Sequence, residues 1–80
     1  MKYKLVLITW IDAQSGNEWE TKDKTMTWAN EDCKIMEIGW EIGETEKYYI
    51  ICSQIGIDGD LGNKTKIPKK WIINKQRIKL

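Results

Sequence analysis

CKIMEIGWEIGETEKYYIICSQIG, residues 33–56, is the stretch whose reading decides the fold. Met36, Ile38, Trp40 and Ile42 recur at every second position, with Glu37, Gly39 and Glu41 between them. A period of two is the pattern of a half-buried strand, with one face turned to a core and one to water. On this reading Trp40 is a core residue and the Glu37/Glu41 face is solvated. Tyr48 to Cys52 is an unbroken apolar run, as a strand covered on both faces requires. Between them, Gly43 to Lys47 supplies a glycine for positive φ and charges that favour water, which makes the segment a hairpin.

Upstream, residues 1–12 alternate with two usable faces. Tyr3, Leu5, Leu7 and Ile11 lie on one, and Val6, Ile8 and Trp10 on the other. β-Branched and aromatic content favours a strand. Asp12 to Glu18 is a loop by composition, with Gly16-Asn17 as its tip, and Trp19 begins a returning strand. Residues 20–32 sustain no 3.6-residue period. They read as a polar crossover pinned by Trp28, with at most one helical turn at Ala29–Cys33. Downstream, IDGDLGNK (57–64) is a turn or loop. Pro68 cannot donate to a central ladder, so Ile67 to Trp71 is expected to form a short 3₁₀ turn. The chain then ends in a strand with Ile72, Ile78 and Leu80 directed inward. About five strands with short connections describe one all-β domain, residues 1–80, built as a small, strongly bent barrel.

An 80-residue chain has a small core, so its five tryptophans weigh heavily. Trp10 and Trp19 flank the first loop and Trp71 follows the 3₁₀ turn, which makes these three candidates for a partly open surface. No apolar run approaches the roughly 20 residues of a membrane span. The basic, apolar N-terminus contains Thr9 and Trp10 and has no small-residue cleavage site, so a cytoplasmic location is expected. Cys33 and Cys52 are expected to stay reduced.

The chain has no histidine, which removes the commonest general base and metal ligand. Asp58 and Asp60 flank Gly59, but Gly62 and Lys69 stand where a calcium loop needs oxygen ligands. No phosphate-binding glycine motif is present. No enzyme activity, metal or cofactor is expected. Charge is more informative. Residues 61–80 hold seven basic residues and no acid, whereas residues 1–60 hold six lysines against all twelve acids. The basic strand either offsets acidic neighbours, within one molecule or across a dimer, or binds phosphates beside an exposed ring. The candidate ligand residues are Trp10, Trp19, Lys66, Lys69, Lys70, Trp71 and Arg77.

Trp10-Ile11-Asp12-Ala13, then a glycine and Trp19, then Glu37-Ile38-Gly39-Trp40, then Ile67-Pro68 and a terminal Ile-x-Leu form a set of landmarks along the whole chain. In these the chain resembles a group of small phage and prophage proteins with W-[VI]-D…GW…G-[WF]…IP…I patterns and no assigned activity. The proline turn before the last strand is similar to SH3-like and Sm-like barrels, although no paired Sm signature is present. The resemblance implies an SH3-like barrel and a viral origin, hence the host cell cytoplasm. Together the charge layout and the resemblance point to a non-enzymatic, phage-encoded binding protein. It would sequester a nucleotide-like host defence signal between aromatic loops and the basic strand. A module that binds a host protein and a single-stranded nucleic-acid binder are the alternatives. A homo-oligomer is expected, because strand edges need protection.

Overall fold

A computed structural model describes residues 2–80. Five strands form one antiparallel sheet: β1 (Lys4–Asp12), β2 (Cys33–Glu44), β3 (Tyr48–Ile55), β4 (Leu61–Pro68) and β5 (Ile72–Ile78). Their order across the sheet is β4-β3-β2-β1-β5. The all-β expectation, the strand number and the 3₁₀ turn, now at Lys69–Trp71, are all found. Residue 1 of the predicted first strand lies outside the described residues.

The two edge strands, β4 and β5, are consecutive in the chain and only three residues separate them. Such a short connection can join opposite edges only if the sheet folds over on itself. Accordingly, Lys75 on β5 places its Nζ 4.7 Å from the ring centroid of Tyr49 on β3. Val6, Ile8, Trp10, Tyr49, Ile51 and Ile67 meet inside the fold, and Ile35 and Ile72 pack against them. Among the described residues the ladder does not close between β4 and β5, so the sheet is bent but open. Both edges carry cations, Lys64 and Lys66 on one and Lys75 and Arg77 on the other. Zipping them together would set like charges side by side.

Register reverses one expectation. β1 pairs with β2 so that Val6 faces Gly39, Ile8 faces Glu37 and Trp10 faces Ile35. Glu37, Gly39 and Glu41 therefore point into the folded sheet. Met36, Ile38 and Trp40 point outward beside Thr9, Leu7 and Leu5. Trp40 is half-buried rather than core, and Met36 and Ile38 are 68% and 55% exposed. At Gly39 the concave side has no room for a side chain. A Cβ added at Gly39 would lie 2.9 Å from the Cys52 carbonyl oxygen. The inward glutamates are satisfied by hydroxyls: Thr65 Oγ1 donates to Glu37 (2.7 Å) and Tyr49 Oη donates to Glu41 (2.8 Å).

Residues 20–32 hold a helix, α1 (Lys22–Ala29), in place of the expected loop and late helical turn. Thr21 caps it by accepting a hydrogen bond from the Lys24 N–H, which satisfies one of the helix's unpaired donors. No residue of α1 is buried. Trp19 begins no strand and is fully exposed. In the run Tyr48–Cys52, Tyr49, Ile51 and Cys52 are buried, but Tyr48 and Ile50 are only half-buried. At the C-terminus, Ile78 lies opposite Leu5 on the outer face and Leu80 is 93% exposed, so neither points into the core. Both cysteines are free thiols. No helix is long and apolar enough to cross a membrane.

Candidate functional site

The turn before β3 and the 3₁₀ turn after β4 are locked together. Thr45 Oγ1 accepts from the N–H groups of Lys47 and Tyr48, which fixes the first turn. The Lys69 N–H donates to the Lys47 carbonyl at 2.9 Å, which ties the second turn to it. Tyr48 and Pro68 are cross-strand partners. Pro68 ends β4 at an edge, where a missing N–H leaves no ladder bond unmade. Between the two turns runs a groove of about 440 Å³ walled by Tyr48, Pro68 and Trp71 and edged by Lys47, Lys69 and Lys70.

The cations of this groove are held to different degrees. Lys69 Nζ lies 3.3 Å from Glu44 Oε1, an exposed pair of the kind that contributes little and opens readily. Lys66 Nζ stands 4.7 Å from the Tyr48 ring centroid, which fixes both groups beside the groove. Lys47 and Lys70 have no ion-pair partner among the described residues. Glu46 is the one carboxylate in the lining. Flat apolar walls with several cations at the rim can take a planar ring between them and an anionic group above.

Four of the seven residues predicted from the sequence meet here: Lys69, Lys70 and Trp71 in the lining and Lys66 next to it. Trp10 does not. It is 7% exposed inside the core and offers no face to a ligand. Trp19 lies on the loop before α1, between Glu18 and Glu20. Arg77 lines a separate cleft with Trp40. Lys47 and Tyr48 were missed. Along a strand Tyr48 faces away from Tyr49, and no second layer covers that side of the sheet, so Tyr48 lies at the surface, which the unbroken apolar run did not reveal. The Asp58 carboxylate is engaged by its own turn, accepting from the Asp60 N–H at 3.2 Å.

Compared with family models, with curated proteins and with solved structures, the chain finds no match.

Proposed function

We propose that this chain is a non-enzymatic, phage-encoded protein that sequesters a small phosphorylated, nucleotide-like ligand in the Tyr48–Pro68–Trp71 groove. Its fold is read as an SH3-like arrangement left open at one seam, and its setting as the host cell cytoplasm. The phage origin rests on the resemblance carried by Trp10-Ile11-Asp12, Gly39-Trp40 and Ile67-Pro68 alone. The ligand class rests on one observation: an apolar trough with two aromatic walls is edged by Lys47, Lys69 and Lys70, with Lys66 beside it. In this arrangement the base would lie against Trp71 and Tyr48, and the phosphate would draw Lys70 and Lys47. Lys69 would leave Glu44 to join them. A groove this short between two turns suits a single nucleotide better than a long strand, whose phosphates would also meet the ten acids that lie away from Glu44 and Glu46.

Calorimetric titration with adenine, guanine and pyrimidine nucleotides tests the reading. We expect at least one to bind, and Trp71→Ala combined with Lys70→Glu to weaken it roughly tenfold or more, the ~1–3 kcal/mol of one base–aromatic stack. Trp19→Ala should leave the affinity unchanged. If no nucleotide binds, or the groove variant binds as the parent does, the reading fails. Tight binding only to an oligonucleotide, with a steep fall in salt, would instead favour the single-strand reading.

A further inference from the structure

The surface of the chain is larger than a self-sufficient monomer needs. It exposes 6689 Å², against about 5,000 Å² for a folded monomer of this mass. Its radius of gyration is 16.2 Å, against roughly 12 Å for a compact domain of this length. Much of the excess comes from the excursion between β1 and β2, where residues 11–27 are exposed without exception. An eight-residue helix with no buried side chain has little to hold it in water on its own. At the tip of this arm stands Trp19, 102% exposed, between Glu18 and Glu20.

Its complement lies at the other end of β1. Leu5, Trp40 and Ile78 give the outer-face side of a cleft of about 410 Å³, and Lys4 and Arg77, from inner-face register positions, and Lys79 add cations to its lining, which holds no carboxylate. Seven residues of strand, roughly 24 Å, separate Leu5 from Asp12, where the arm begins. Next to this cleft the outer face of β5, β1 and β2 has a stretch without charge, bounded by Lys34 on β2 and by Lys64 and Lys66 on β4. The outward positions from Leu5 to Thr9, Met36 to Trp40 and Asn74 to Ile78 are all apolar or neutral. Residues 12–32 carry a net charge of −4 and residues 61–80 a net +7. Among the described residues the one ion pair is Lys69–Glu44, so these charges do not pair within a copy.

We propose that the chain forms an antiparallel two-fold dimer in which the Glu18–Trp19–Glu20 tip of each arm docks into the Trp40 cleft of the other copy. The acceptor combines an apolar side with three cations in its lining, and the donor is an indole between two carboxylates. Arm and cleft sit at opposite ends of one molecule, so side-by-side antiparallel copies satisfy both ends twice and leave none open. That arrangement lays the charge-free stripe at the axis, where each side chain meets its own kind and any charge would be repelled. The surplus surface of one copy exceeds the roughly 800 Å² per partner of a standard interface. This inference stands apart from the ligand groove.

Light scattering with chromatography reads the mass directly. We expect twice 9.4 kDa for the parent chain, with the dimer weakened at high salt. Glu18→Lys with Glu20→Lys should give a monomer, as should Arg77→Glu with Lys79→Glu. Mixing the two variants should restore the doubled mass, because each reversed arm then meets a reversed cleft and each native arm a native cleft. Recovery in the mixture also shows that both variants fold. Ile38→Lys should give a monomer that no mixing rescues. A parent chain at 9.4 kDa, assemblies larger than two copies, or charge-reversed variants as dimeric as the parent would overturn the proposal, and so would a mixture that stays monomeric.

Discussion

Replacing Gly39 by valine is expected to abolish cooperative unfolding of the chain at room temperature. Gly39 is buried in the middle of β2, opposite Val6. A Cβ at this position would stand 2.9 Å from the carbonyl oxygen of Cys52 and 3.3 Å from Ile51 Cβ. The first contact is with backbone, so relief requires β3 to shift relative to β2, and the ladder pairing Trp40 with Cys52 opposes that shift. Overpacking a core costs about 1–3 kcal/mol where side chains can yield, and more where they cannot. A core of this size supplies only about 3–5 kcal/mol in all. Alanine carries the same Cβ without the branches and should retain a lowered but measurable transition. Urea unfolding followed by near-ultraviolet circular dichroism decides it. A valine variant with the parent's midpoint would show that the two strands are not packed as described.

The second large effect is on alkaline stability. Burial first, then the hydrogen bond to Glu41 and the charges of Glu41 and Glu44, holds the Tyr49 phenol well above its ordinary value of 10.0. The unfolded chain releases this proton near pH 10, whereas the folded chain keeps it. Tyr49 therefore contributes fully to stability below pH 10. The contribution is lost as pH rises from there toward the folded value, at about 1.4 kcal/mol per pH unit for one proton. Over two units the loss approaches the stability of a domain this small, so unfolding should set in near pH 12. Tyr49→Phe leaves Glu41 without its donor and costs about 1 kcal/mol at neutral pH. It should nonetheless flatten the alkaline slope by one proton. Unfolding free energies measured between pH 9 and 12 give both slopes, and equal slopes would contradict the assignment.

The strands were legible because their period of two survives in residues 4–12 and 33–44 whatever the packing partner. Which face of β2 turned inward was not legible. Both faces of that strand are plausible from composition, and the choice was made by curvature. On the concave side only Gly39 fits beside Cys52, and two glutamates are tolerated because Thr65 and Tyr49 meet them. Helix α1 escaped notice because it has no apolar face to repeat. Its sign was Thr21, a capping residue three positions before Lys24, and capping is a weaker signal than period. The groove was legible in part. Lys69, Lys70 and Trp71 are neighbours in sequence, so one turn carries them together. Trp10 and Trp19 flank the same loop, yet one closes the core and the other stands in water. Their side of the strand and their distance from its end separated them, and composition reports neither.

The claim on which the functional reading rests is that the Tyr48–Pro68–Trp71 groove is the binding site. A titration of the isotope-labelled protein with the tightest-binding mononucleotide, followed by two-dimensional NMR, tests it most directly. We expect saturable shifts at Lys47, Tyr48, Lys66 and Lys69–Trp71, including the Trp71 indole N–H, with the amides of residues 13–32 unmoved. Shifts confined to the Trp40 cleft, or none at saturating nucleotide, would contradict it.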